Sequence, residues 1–97
     1  MIRSNKLKQS ARGEDCTFNV VDVCNYSPET TVLCHIDSED KGMGIKSHDF
    51  FGGFGCSSCH AWLDQHRGSE EDRLFYSLRA LNRTWKRWIE LGLVTIK

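Results

Sequence analysis

Cys56-Ser57-Ser58-Cys59, followed at once by His60, constrains this chain more than any other feature. Two thiolates two residues apart converge on one ion through a tight turn, and the tetrahedral structural site they imply needs two further ligands. Cys16 and Cys24 supply them. His60 is then left beside the site but outside it. The competing readings are His60 as a ligand in place of Cys16 or Cys24, and a disulfide. At 97 residues the chain buries only a modest core, so a metal staple would add stability that packing alone supplies poorly. Cys34, the fifth cysteine, lies within an apolar run and reads as a small buried residue. A redox role for Cys56 and Cys59 would need a βαβ context that the sequence lacks.

The opening residues MIRSNKLKQSAR are basic and polar, without an apolar signal-like core, and no stretch approaches membrane-spanning length. The expected location is therefore the reducing cytoplasm, where closely spaced cysteines read as metal ligands before disulfides, and no membrane partner is expected. Lysine plus arginine and aspartate plus glutamate both number 13, so net charge argues for no particular partner. Its distribution is more informative. Arg3, Lys6, Lys8 and Arg12 fill the first twelve residues without an acid, and Arg73, Arg79, Arg83, Lys86 and Arg87 follow one another with no acid between them. Such blocks bind phosphates by releasing counterions, or form an ordinary solvated face.

Organisation reads as a single α+β domain over residues 1–97: a basic, partly helical arm (1–13), a metal-bearing core (14–66) and a long C-terminal helix (69–91). Residues 16–24 favour a short hairpin or loop. Ser27-Pro28-Glu29 favours one helical turn, and Val32 to Ile36 is too short and apolar for anything but a strand. Residues 37–55 are glycine-rich and read as irregular, while His60 to His66 is expected to be a short helix ending near Gly68. Ser69 with three following acids starts the last helix, Gly92 stops it, and Leu74, Phe75, Leu78, Leu81, Trp85, Trp88 and Ile89 recur at helical spacing as its core side. Arg79, Arg83, Lys86 and Arg87 are then expected opposite the stripe of Leu78, Leu81 and Trp85, facing a nucleic-acid backbone.

Chemistry follows from the order of three features: a strand carrying His35, a loop carrying Asp49, and a helix carrying His60 with Asp64 four residues on. Side chains at i and i+4 share a helical face, so His60 and Asp64 can hold one divalent ion and leave positions for water and a phosphate oxygen. His35 on a facing strand would act as general base toward that water. The expectation is that His35, Asp49, His60 and Asp64 converge on a second, exchangeable ion, with His35 itself unliganded. His48 and His66 read as solvated, and Lys46 as a phosphate contact or a free surface charge.

This order resembles the HNH endonucleases, whose ββα-metal (His-Me finger) core is a strand with a catalytic histidine, a loop, and a helix with a metal-binding histidine. More narrowly, the chain is similar to the small nucleases of lambdoid prophages, the YbcO type. The matching segments are Ala11-Arg-Gly13, Val23-Cys-Asn25, Pro28-Glu-Thr30, Val32-Leu33, His35-Ile36, the Gly-x-Gly-x-Lys run from Gly42 to Lys46, Asp49, and Cys56-Ser-Ser-Cys59-His60. The resemblance implies a zinc-stabilised ββα-metal domain that hydrolyses DNA phosphodiester bonds. It makes Cys16, Cys24, Cys56 and Cys59 the zinc ligands, His35 the base and His60 a ligand of a catalytic Mg²⁺, Mn²⁺ or Ni²⁺. DNA is the implied partner, and a phage recombination or replication protein a further one. Two departures stand against the pattern: Cys34 takes the place of a metal-binding Asp or His, and the central Asn is missing, with Asp49 the nearest residue to orient His35 or bind metal. The competing function is a zinc-stabilised module that binds nucleic acid or protein without cutting.

Overall fold

The computed structural model describes residues 2–37 and 47–97; Gly42, Gly44 and Lys46 lie outside them. In chain order the elements are α1 (Asn5–Ser10), a single 3-10 turn (Pro28–Thr30), β1 (Val32–His35), β2 (Gly52–Gly55), α2 (Ser57–Asp64) and α3 (Glu70–Glu90). β1 and β2 pair antiparallel with Leu33 opposite Phe54 and His35 opposite Gly52. The fold is thus a small α+β arrangement of a two-stranded sheet and a long C-terminal helix.

β2 falls where the glycine content of the sequence predicts irregular chain. Glycine is a poor strand former on entropic grounds, but here the backbone must approach its neighbours closely. A Cβ on Gly53 would lie 2.7 Å from Cβ of Ala80, and one on Gly55 would lie 2.7 Å from Sγ of Cys34. α3 therefore packs directly on the backbone of β2, which requires small residues on the helix. Its buried residues are Ser77, Ala80, Thr84 and Trp88. This corrects the expected core stripe: Leu74, Phe75 and Leu78 are 61%, 56% and 58% exposed, and of the residues in that stripe Trp88 is the one fully buried.

Thr84 fastens the contact. Its Oγ1 accepts a 3.0 Å hydrogen bond from the amide of Phe54 and lies 3.1 Å from the Thr17 hydroxyl, which itself donates to the Phe54 carbonyl at 2.7 Å. Thr84→Val keeps the shape and strands a buried N–H, so it is expected to cost about 1–3 kcal/mol in urea unfolding.

The core lies on both sides of the hairpin. On one, Leu33, Phe54, Trp88 and Ala11 are buried together, with Trp88 edge-on to Phe54 at 6.0 Å. The Trp88 indole N–H donates to Oγ of Ser10 at 2.8 Å, so the helical part of the arm is docked on the core. On the other, Cys16, Phe18, Val20, Cys34, Ile36, Cys56, Cys59, Trp62 and Ala80 surround the cysteines. Residues 16–24 form a loop rather than a hairpin, with Asn19 and Asp22 at φ of 46° and 63°.

α2 begins at Ser57, earlier than the sequence predicts, because Sγ of Cys56 accepts from the amide of Cys59 and caps it. α3 starts as expected: Oγ of Ser69 accepts from the amide of Asp72, and Glu70, Glu71 and Asp72 stand at the positive end of the helix dipole. Gly92 at φ 76° follows its last turn. Among the described residues no helix is long and apolar enough to cross a membrane.

Candidate metal centre and active site

Cys16, Cys24, Cys56 and Cys59 come from two loops and the first turn of α2, and their sulfurs all lie within 4.8 Å of one another. All are free thiols. A tetrahedron of zinc–sulfur bonds of about 2.3 Å sets the sulfurs about 3.8 Å apart, and Sγ of Cys56 lies 3.8 Å from Sγ of Cys24. The sulfurs are also surrounded by N–H groups. Cys56 faces the amides of Asn25 and Cys59 at 3.5 and 3.4 Å, Cys16 faces the amide of Asn19 at 3.5 Å, and Cys24 faces Nδ2 of Asn19 at 3.5 Å. Such donors favour thiolate charge. The hydrogen bond from Cys59 holds Cys16 down at about 5 against the effect of burial, and the same bond drives Cys59 upward. The four cysteines could hold a metal ion such as zinc. Cys34 has no exposed surface and burial pushes its thiol up, as expected for a packing residue.

His35 stands at the end of β1, with its side chain 20% exposed and its Nε2 2.8 Å from Oδ1 of Asp49. Burial alone would raise the carboxyl of Asp49, but hydrogen bonds from His35, the Ser4 amide and Arg3 outweigh it and hold the group below the usual aspartate value. With Asp49 ionised, the proton of the neutral ring sits on Nε2 and the lone pair on Nδ1. Nδ1 has no hydrogen-bond partner among the described residues. The ring is therefore oriented through one nitrogen and open at the other.

Residue spacing does not show what surrounds Asp49. Nη1 of Arg3 donates to Oδ1 of Asp49 at 3.1 Å and to the Ser47 carbonyl at 2.8 Å, and lies 3.4 Å from Nε2 of His35. The Ser4 amide donates to Oδ2 of Asp49 at 2.7 Å, and the Asp49 amide donates to the Ile2 carbonyl at 3.0 Å. His48, expected to be solvated, accepts from the Ile2 amide at 2.8 Å and stacks on Phe50. No spacing rule links residues more than forty positions apart, so only the block of positive charge in the arm hints at this contact.

His60 and Asp64 do share a face of α2, with Nε2 and Oδ2 3.2 Å apart and both side chains well exposed. They do not join His35 and Asp49 in a cluster. Among the described residues the four cysteines are the group of three or more ligand-type side chains close enough to share one ion. The expected fourfold cluster is instead two pairs, each histidine with its own aspartate, and along β1 Cys34 turns toward the cysteine core while His35 turns toward the arm. His66 pairs with Asp37 at 3.5 Å.

Of the predicted phosphate contacts, Lys46 lies outside the described residues. Arg79, Arg83 and Arg87 form one edge of α3, where they fasten the segment before and within the cysteine loop. Arg79 reaches the Phe18 carbonyl at 3.4 Å, Arg83 reaches Oδ1 of Asn19 at 2.9 Å, and Nε of Arg87 pairs with Glu14 at 2.8 Å. Lys86, on the same edge, is exposed.

A hairpin and long helix around a four-cysteine site define a small α+β protein able to carry a structural metal. The chain belongs to the YbcO family, whose description is "Putative nuclease YbcO" and whose profile matches residues 5–93. It is 33% identical over 91 residues to "Putative nuclease YbcO" of Escherichia coli (strain K12), covering 91% of this chain and 95% of the relative. The same figures hold for "Putative nuclease ybcO" of Enterobacteria phage 82. A solved structure, "Structure of a putative bacteriophage protein from Escherichia coli str. K-12 substr. MG1655", superposes with a TM-score of 0.73 at 28% identity, covering 90% of this chain and all of that one.

Proposed function

We propose that this protein is a metal-dependent endonuclease of the HNH type that hydrolyses DNA phosphodiester bonds. The observation that carries the reading is the His35–Asp49 pair, oriented through Nε2 with Nδ1 open, on a strand of a β1–β2–α2 unit in a member of a nuclease-named family. Nδ1 of His35 takes the proton from the attacking water, and Asp49 holds the ring in the required tautomer and stabilises the cation that forms. His60 and Asp64 would hold a divalent ion such as Mg²⁺, Mn²⁺ or Ni²⁺. When bound, that ion supplies charge stabilisation for the phosphate and the leaving oxygen. Cys16, Cys24, Cys56 and Cys59 would hold zinc, and Cys56 and Cys59, at the start of α2, would thereby anchor the helix that carries His60.

DNA is held through its backbone, by Lys46 and by Lys86 with the solvent-facing parts of Arg79, Arg83 and Arg87. Replacing Arg79, Arg83 and Lys86 together by alanine is expected to lower the slope of log affinity against log salt by about 0.9 per charge removed. Zinc content, measured in parallel, is expected to stay at one equivalent. An unchanged slope means that this edge serves only to fasten the cysteine loop.

The reading is tested by incubating the purified protein with supercoiled plasmid, with each of the three ions and with a chelator. Nicked and linear products that depend on the ion support it; intact plasmid under every condition removes it. The second reading, a zinc-stabilised module that binds nucleic acid or protein without cutting, is favoured by the buried Cys34 and by the separation of the two His–Asp pairs. Binding of plasmid without cleavage selects it. Work in the cytoplasm, and a phage recombination or replication protein as partner, belong to the same proposal.

A further inference from the structure

The three residues ahead of α1 wrap around Asp49, and they meet it at its amide and at both carboxylate oxygens. A carboxylate that is 4% exposed is costly to hold ionised unless its oxygens are filled by donors. Oδ1 receives His35 and Arg3, and Oδ2 receives the Ser4 amide. Nη1 of Arg3 has two N–H bonds, and both are committed, one to Asp49 and one to the Ser47 carbonyl. One nitrogen thus ties the arm, the carboxylate and the backbone of the 47–49 segment into a single rigid corner.

We infer that Arg3 is a positioning residue of the His35 site, acting through Asp49: it fixes Oδ1 where that oxygen holds the Nε2 proton of His35 and so aims Nδ1 outward. The inference rests on the nuclease reading for its catalytic consequence, but not for its geometric one. Without Arg3, Oδ1 keeps a single donor, the 2.8 Å tie to the Ser47 carbonyl is lost, and water takes the place of the guanidinium, whose side chain is itself 47% exposed, beside the ring.

The experiment combines steady-state cleavage with nitrogen-15 spectra of the imidazole, on zinc-replete protein. Arg3→Ala is expected to lower kcat about tenfold, as loss of an outer partner of a catalytic group does, with KM unchanged. The parent is expected to show a hydrogen-bonded Nε2–H signal from His35. That signal disappears by exchange with water in Arg3→Ala and returns in Arg3→Lys, which keeps a cationic donor. Far-UV circular dichroism and zinc content show whether each variant is folded. An unchanged kcat in Arg3→Ala overturns the inference, as does a raised KM at constant kcat, which would make Arg3 a substrate contact. Persistence of the Nε2–H signal in Arg3→Ala overturns it as well. Should the parent fail to cleave, the nuclease reading falls and the Nε2–H signal alone decides the role of Arg3.

Discussion

Replacing Cys59 by alanine is expected to unfold the domain, and the same result is expected when a strong chelator strips the metal from the parent. Cys59 is fully buried beside Cys16, Cys56 and Trp62, so the substitution removes both one of the four thiols able to hold a metal and a core side chain. A structural zinc in a small domain contributes on the order of 10 kcal/mol of apparent binding energy, and that energy is folding energy because the site does not exist in the unfolded chain. A domain of this size has a net stability of roughly 5–15 kcal/mol, so loss of one thiolate removes a large part of it. Far-UV circular dichroism and elemental analysis read the effect: less than one equivalent of zinc, and loss of the cooperative melt. Cys34→Ser is the contrast. It places a hydroxyl in the same core without touching the ligand set, so zinc content is expected to stay at one equivalent although stability falls. A Cys59→Ala variant that melts like the parent would show that packing alone holds the fold.

Removing the imidazole of His35 is expected to have the largest effect on activity. A positioned general base contributes about 10² to 10⁴ in rate, and among the described residues the histidine hydrogen-bonded to Asp49 is His35, whereas His48 accepts from the Ile2 amide, His66 pairs with Asp37 and His60 with Asp64. His60→Ala is expected to lose activity too, but for a different reason. It leaves Asp64 as a single exposed donor, so cleavage should fail at ordinary ion concentrations and recover in part as the ion is raised. His35→Ala should not recover. Since neither side chain belongs to the fully buried core, both variants are expected to keep their fold and their zinc.

Much of this architecture was legible because a few residue types have few uses. Four cysteines at these spacings, Ser69 before three acids, and Gly92 after an apolar run pointed to the four-cysteine cluster and to the limits of α3, which runs from Glu70 to Glu90. The failures share one cause. β2 is made of glycines because α3 lies against its backbone, and that closeness in turn selects Ala80 and Thr84, not leucine, for the buried side of the helix. Periodicity of large apolar residues therefore marked Leu74 and Leu78, which are exposed. The arginines of α3 were legible as charge but not as fasteners, because Glu14 and the carbonyls they reach belong to a loop whose path depends on the cysteines. The His35–Asp49 pair could be named from motif order, whereas Arg3 could not, since its contact with Asp49 is made only when the arm docks.

The most direct measurement is a cleavage time course on end-labelled duplex DNA, with the parent and His35→Ala side by side, each shown to carry one equivalent of zinc and supplied with the same divalent ion. The account predicts phosphodiester hydrolysis by the parent and a rate at least about a hundredfold lower for His35→Ala. Equal rates for the two proteins would contradict it.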